Sequence, residues 1–133
     1  MGFRIGETGP TQQPTNQQRI KTSVQKNEKH LESLFSRVDN SKVKSFAGME
    51  DYHDKDGNYL YTRSQTAGGG TEISFRDVDD NDAIVKMRDR DNDGKFDFMS
   101  HSKHNYDAGD LDGDGSFDVA WDKESRSSID LRY

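Results

Sequence analysis

An acidic loop pattern occurs twice in this chain of 133 residues, with equivalent positions 21 residues apart. Both copies read Asp-x-Asp-x-Asp-Gly-x-apolar-Asp. The carboxylates are Asp89, Asp91, Asp93 and Asp97 in the first copy, and Asp110, Asp112, Asp114 and Asp118 in the second. When a chain coils around one point, the carboxylates at positions 1, 3 and 5 converge. The glycine at position 6 permits a sharp turn, and the Asp at position 9 closes the shell.

Carboxylates held this close repel one another, so a hard dication is the natural stabiliser. Ligands made only of oxygen, in a chain without cysteine, favour Ca²⁺ over zinc or copper. We therefore predict two Ca²⁺ ions, one in each loop, with water or a nearby carboxylate completing the shell. The candidates for that extra carboxylate are Asp77, Asp79, Asp107 and Asp122. The alternative is a pair of plain hairpin turns, because Asp, Asn and Gly are common turn residues.

The two loops resemble the calcium-binding loops of the EF-hand superfamily in its wide sense, which includes dockerins, thrombospondin type 3 repeats and integrin-like propeller repeats. The resemblance implies that the eight Asp side chains are ligands and that Lys95 and Ser116 give main-chain carbonyls. Position 12, where an EF-hand has a bidentate Glu, holds Ser100 and Trp121. The residues after each loop alternate like strands, so a helix-loop-helix frame is not expected. The 21-residue period is also too short for propeller blades.

The composition gives little material for a hydrophobic core. Hydrophobic residues make up 29% of the chain and charged residues 33%, and the mean hydropathy is −1.15. A single domain of this kind offsets its conformational entropy poorly by burial alone. Bound ions that join the acidic loops would supply part of the missing stability.

The charge is unevenly distributed. Residues 1–50 hold 8 Lys and Arg against 5 Asp and Glu, a net charge of +3, whereas residues 77–122 hold 5 against 14, a net charge of −9. The acidic half argues against nucleic acids and anionic membranes as partners. No stretch is apolar enough to span a membrane, and no ordinary signal peptide is recognisable. No known catalytic motif is present, so we do not expect an enzyme.

The N-terminal third predicts a flexible arm over residues 1–14 and an amphipathic helix over residues 15–39. Thr15 or Asn16 can cap the helix. Its apolar positions follow a heptad-like spacing that the polar Asn27 interrupts: Ile20, Val24, Leu31, Leu34, Phe35 and Val38. This seam fits two arrangements, packing on the chain's own β domain or self-association with another copy.

Residues 40–133 predict a calcium-binding β domain. The expected strands are 43–52, 59–64, 71–76, 83–88, 96–101, 104–108, 117–122 and 128–133, with 68–70 as a flexible glycine link. The two acidic loops connect strands in this series. A shorter acidic turn at 54–58 lacks an Asp at position 9, so a third ion is not expected there. The expected fold class is α+β: an N-terminal amphipathic helix followed by an antiparallel β-meander with two calcium loops.

A second resemblance covers about the first 36 residues. The opening Met1-Gly2-Phe3-Arg4-Ile5 and the later Gln18-Arg19, Asn27 and Leu31-Glu32-Ser33-Leu34-Phe35-Ser36 are similar to the first helix of bacterial flagellins. That resemblance implies a helix that joins a filament coiled coil and carries an export signal. Residues 7–17 depart from the family, and the paired C-terminal helix of flagellins is missing.

Two functions of different classes follow. The first is a calcium-stabilised, non-enzymatic binding or adhesion module, extracellular or at the cell surface, whose partner is a protein or glycan surface. The second is a structural or exported accessory component of a flagellin-like filament, with self-association through helix 15–39. The first requires only the β domain, whereas the second requires residues 1–38.

Overall fold

The computed structural model describes residues 15–132. The flexible arm predicted over residues 1–14, and Tyr133 at the end of the last predicted strand, lie outside the described residues. The chain begins with helix α1, Asn16–Ser36, capped by Thr15. The Thr15 hydroxyl accepts the amide of Gln18 at 3.1 Å, and the Gln18 side chain accepts the amide of Thr15 at 2.9 Å. This capping box satisfies two amides that a helix start would otherwise leave without partners.

All nine strands within residues 15–132 form one antiparallel sheet in chain order. They are β1 (Lys44–Phe46), β2 (Met49–His53), β3 (Tyr59–Gln65), β4 (Thr71–Arg76), β5 (Ile84–Asp89), β6 (Phe98–His101), β7 (Tyr106–Gly109), β8 (Val119–Asp122) and β9 (Ser127–Asp130). A short 3₁₀ turn, Asn40–Lys42, joins α1 to the sheet. Among the described residues, no helix is long and apolar enough to cross a membrane.

The expected α+β class is wrong, although the expected meander is correct. The described chain is mostly a nine-stranded antiparallel sheet, and its one α-helix is a minor element. The sequence also predicted one strand over residues 43–52, where the structure has two. Ala47 and Gly48 adopt φ values of 52° and 82° and turn the chain between β1 and β2. The sequence did not reveal this turn, because a non-glycine residue rarely takes positive φ.

One face of the sheet carries the core. Alternate residues of the central strands point to α1, as the period of a strand requires. The largest are Phe75, Val85, Met87, Met99 and Tyr106, all at most 1% exposed. The other face is solvated. There Arg88 pairs with Glu72 at 2.8 Å and lies over the Phe98 ring at 5.5 Å.

The apolar seam of α1 packs on this core face. Ile20, Val24, Leu31 and Leu34 are each at most 5% exposed in the single chain. Phe35 meets Tyr61 of β3 edge to face at 5.1 Å, and the Ser23 hydroxyl bonds that of Tyr106 of β7 at 2.8 Å. The helix therefore crosses the sheet from the C-terminal strands towards β3. Of the two predicted arrangements, this is the packing on the chain's own β domain.

The polar residue in the seam, Asn27, is fully buried, and both polar atoms of its side chain form hydrogen bonds. Its amide nitrogen donates to Asp77 Oδ1 at 2.8 Å, and its oxygen accepts the Val78 amide at 3.1 Å. His101 Nε2 bonds the same Asp77 oxygen at 2.8 Å, while His101 Nδ1 accepts the amides of residues 103 and 104. The neutral His101 therefore carries its proton on Nε2. Asn27 fixes the position of the helix on the sheet through a buried carboxylate.

Replacing Asn27 by Ala should destabilise the fold by about 2–4 kcal/mol, because the buried Asp77 carboxylate loses a donor and the partly buried Val78 amide loses its acceptor. Urea unfolding measures the change. The matched control is Gln17→Ala, an exposed position on the same helix, which should change stability by less than about 0.5 kcal/mol. Equal effects of the two substitutions would contradict this account of the buried network.

Candidate metal centre

The two acidic loops lie side by side at one end of the sheet. Loop 1 (residues 89–97) connects β5 to β6, and loop 2 (residues 110–118) connects β7 to β8. In an antiparallel meander every second connection lies at the same end of the strands. Both loops therefore lie at the same end of the sheet. The amide of Asp110, the first residue of loop 2, donates to the carbonyl of Asp97, the last residue of loop 1, at 3.1 Å.

The two loops have the same backbone design. In each, the position 1 carboxylate accepts the position 6 amide, the position 5 carboxylate accepts the position 7 amide, and the position 9 carboxylate accepts the position 2 amide. The donor–acceptor pairs are Gly94–Asp89, Lys95–Asp93 and Arg90–Asp97 in loop 1, and Gly115–Asp110, Ser116–Asp114 and Leu111–Asp118 in loop 2. The repeated sequence is thus a repeated structure.

Both loops need residues that tolerate a left-handed backbone at positions 4 and 6. Asn92 and Gly94 have φ values of 56° and 90°, and Gly113 and Gly115 have 75° and 92°. Glycine and asparagine are the residues that adopt this region at least cost. The sequence signalled position 6 through its glycine. Position 4 was not singled out, although Asn and Gly in the two copies were a usable signal.

The structure brings together seven of the eight predicted carboxylates. Each cluster has carboxylate oxygens within 4.8 Å of one another: Asp110, Asp112, Asp114 and Asp118 in loop 2, and Asp89, Asp91 and Asp97 in loop 1. Asp93 is not part of the loop 1 cluster, and its Oδ1 accepts the amide of Lys95. Lys95 and Ser116 occupy their expected position 7, and their role as carbonyl ligands stays a prediction.

None of the four candidates for an extra ligand joins these clusters. Asp77 and Asp79 follow β4, at the opposite end of the sheet, where Asp77 holds Asn27 and Asp79 pairs with Lys26. Asp107 pairs with Lys123, and Asp122 accepts bonds within the turn that follows β8. These four carboxylates therefore do not complete the shell of either cluster.

One buried carboxylate in loop 2 has an oxygen that accepts no hydrogen bond from the described residues. Asp118 is 5% exposed, and its Oδ2 accepts the amides of Leu111 and Asp112 at 2.8 and 3.4 Å. Among residues 15–132, no donor reaches its Oδ1. A buried carboxylate oxygen without a partner is costly, and a bound cation would satisfy it.

The close spacing of the carboxyl groups in loop 2 shifts their pKa values. Burial raises the pKa of Asp110, but the amides of Gly115 and Gly113 and the neighbouring Asp112 carboxyl outweigh burial and leave that pKa lowered. The amide of Asp114 lowers the pKa of Asp112, but burial and the carboxyls of Asp114 and Asp110 raise it overall. The closely spaced carboxyls of this loop thus move the pKa values of Asp110 and Asp112 in opposite directions.

In loop 1, Arg90 supplies a positive charge from within the chain. Its Nε donates to Asp97 Oδ1 at 2.8 Å, and its amide donates to Asp97 Oδ2 at 3.1 Å. The first carboxylate of this loop, Asp89, is 8% exposed, and burial raises its pKa. Lys95 extends from loop 1 to the carbonyl of Gly113 in loop 2 at 3.4 Å.

The turn between β3 and β4 supports loop 1. The sequence predicted a flexible link at residues 68–70, but the turn is tightly bonded. Thr66 and Gly70 exchange hydrogen bonds, and the Asn92 side chain donates to the carbonyl of Gly69 at 2.7 Å. A Cβ on Gly70 would lie 2.7 Å from the carbonyl oxygen of Asp89. Gly70 therefore permits the close approach of this turn to the first residue of loop 1.

Gly70→Ala should destabilise the protein by about 1–3 kcal/mol and disturb loop 1, because backbone must move to admit the methyl group. Gly68→Ala is the matched control, since a Cβ there meets nothing within 4 Å and its φ is not positive. We expect that control to be neutral or slightly stabilising. Thermal unfolding compares the two variants, and equal unfolding midpoints would refute the close approach.

Sequence reasoning also missed Glu28 of α1. Glu28 lines a cavity of about 290 Å³ between the helix and loop 2, together with Asp112, Asp114 and Arg132. Burial, assisted by the charge of Glu32, raises the pKa of Glu28 from 4.5 to about 7. A helical Glu gave no signal of this, because its place beside loop 2 depends on how α1 docks.

The contribution of Glu28 to stability without calcium should fall as the pH rises from about 4.5 to about 7, because the folded chain retains the Glu28 proton that the unfolded chain loses. Glu28→Gln should therefore stabilise the protein at pH 8, by about 1–2 kcal/mol after allowance for solvent screening, and leave it unchanged at pH 4. Urea unfolding with a chelator tests this. Glu124→Gln, in an exposed turn, is the control. A pH-independent difference would contradict the shift.

Comparisons with protein-family models, with curated proteins and with solved structures found no match to this chain. Two clusters of carboxylates, one with a buried oxygen that no donor among residues 15–132 reaches, form an arrangement suited to binding hard cations.

Proposed function

We propose that this chain is a calcium-binding, non-enzymatic binding or adhesion module whose sheet is stabilised by two Ca²⁺ ions. One observation carries the proposal. The two sequence copies adopt the same pattern of backbone hydrogen bonds, and seven of their eight carboxylates gather in two clusters, one per loop, with oxygens within 4.8 Å of one another in each cluster. Plain hairpin turns need no such convergence, because one or two side-chain caps satisfy their amides.

The chemistry favours Ca²⁺ over other cations. All the side-chain ligands are carboxylates, which excludes the softer metals that prefer sulfur or nitrogen. The loops are largely exposed to water, which suits a cation that accepts six to eight oxygens, some of them from water, at variable geometry. Mg²⁺ requires a stricter octahedron and keeps its water more firmly.

An ion in each loop would stabilise the centre of the sheet. The loops join β5 to β6 and β7 to β8, and these strands contribute Met87, Met99, Ala108 and Ala120 to the core. An ion that binds only the folded loops raises stability by mass action, by about 2.7 kcal/mol per site at 100 times the dissociation constant. A chain with 29% hydrophobic residues gains much from that.

Calcium dependence of this kind suits an extracellular or cell-surface module, where calcium sites have dissociation constants of roughly 10⁻⁴–10⁻³ M. A protein or glycan surface remains the partner class. We do not propose the flagellin-like alternative. It requires a helix face free for other chains, whereas the seam of α1 is buried against the chain's own sheet.

Calorimetric titration of metal-free protein should reveal two Ca²⁺ ions per chain, and saturation should raise the thermal unfolding midpoint. Asp112→Asn should weaken one site by roughly tenfold, since calcium affinity follows the ligand charge count. Asp56→Asn is the control, because it removes the same charge from an exposed turn at the other end of the sheet. A titration without heat and without a shift in the midpoint would refute calcium binding.

A further inference from the structure

The two loops share their acidic residues but differ at position 2, where loop 1 has Arg90 and loop 2 has Leu111. Position 2 is adjacent to the carboxylate at position 9 in both loops, because its amide donates to that carboxylate. The residue at position 2 therefore decides what else reaches the closing Asp. Leu111 is 76% exposed and offers no polar group.

In loop 1 both oxygens of the closing Asp are occupied by Arg90. Its Nε holds Asp97 Oδ1 at 2.8 Å, and its amide holds Oδ2. In loop 2 the amide of Leu111 holds Asp118 Oδ2, and Oδ1 has no donor among the described residues. The Arg90 guanidinium thus fills the position that loop 2 leaves open for a ligand.

We infer that Arg90 acts as a built-in counter-ion of loop 1, so that loop 2 binds Ca²⁺ first and loop 1 binds it only after Arg90 is displaced. The inference rests on the proposed calcium binding and adds to it an order of filling. The loop 1 cluster also lacks Asp93, whereas all four carboxylates of loop 2 are already together. Loop 1 must therefore both release Arg90 and bring in Asp93.

Displacing Arg90 is feasible. Its side chain is 65% exposed, and an exposed ion pair contributes little to stability. Basic residues also stand near loop 2, since Lys21 and Arg132 line the cavity beside it. The Arg132 guanidinium, however, bonds Asp130 at 3.2 Å instead of the loop 2 carboxylates. Arg90 differs from Arg132 because its side chain directly contacts the Asp at position 9 of its loop, Asp97.

The test follows the amide resonances of Gly94 and Gly115 in the full chain during a Ca²⁺ titration. Each amide bonds the first Asp of its own loop and so reports one site. In the unmodified protein the Gly115 signal should complete its shift at lower Ca²⁺ than the Gly94 signal. Arg90→Leu, which gives loop 1 the residue of loop 2, should lower the Gly94 midpoint about fivefold, the scale of one exposed charge contact. The Gly115 midpoint should stay the same.

The reciprocal variant Leu111→Arg should raise the Gly115 midpoint by a similar factor. Arg63→Leu is the control, because it removes an arginine from another exposed ion pair, at 2.9 Å from Glu50, and should move neither midpoint. Shifts in the reverse order, or an Arg90→Leu variant with an unchanged Gly94 midpoint, would overturn this inference and leave calcium binding intact. No response at either glycine would overturn both.

Discussion

The structure depends on the burial of one face of a single sheet beneath a single helix. A single-layer sheet has two faces, and the apolar residues of this chain form a hydrophobic core on one of them. Every strand from β3 to β9 contributes at least one buried side chain to the core, and α1 is the element that shields this face from water. The solvated face is held by ion pairs and by a cation–π contact, which add little to stability.

A second constraint is the repulsion between carboxylates at one end of the sheet. Eight carboxylates occupy two adjacent loops, and the Asp110–Asp97 backbone bond ties the loops together. The same amides that orient these carboxylates hold them close to one another, so the geometry of each loop works against its own electrostatics. The two loops differ in how this repulsion is relieved. In loop 1 the Arg90 side chain pairs with Asp97, whereas in loop 2 no donor among residues 15–132 reaches Asp118 Oδ1.

Local signals in the sequence predicted much of this arrangement. The capping role of Thr15 and the convergence of the loop 2 carboxylates each depend on residues a few positions apart. Features that depend on distant parts of the chain were missed. The approach of Gly70 to Asp89 and the raised pKa of Glu28 arise only when separate elements meet. The prediction of an α+β class was wrong for a similar reason. The heptad-like pattern correctly indicated a helix, but it could not show that this helix is a minor element that covers one face of a nine-stranded sheet.

The order of the strands has a consequence for how the chain folds. Each strand pairs with its neighbour in sequence, so the sheet can grow by closing one short hairpin after another at small entropic cost. The longest closures belong to α1, whose Asn16 bonds Asp122 across 106 residues and whose Ser23 bonds Tyr106 across 83 residues. During synthesis α1 emerges before the sheet, and its binding surface is complete only after β8 and β9 have formed. The seam of α1 thus stays uncovered until the end of folding, and these last steps expose the chain to association with other copies.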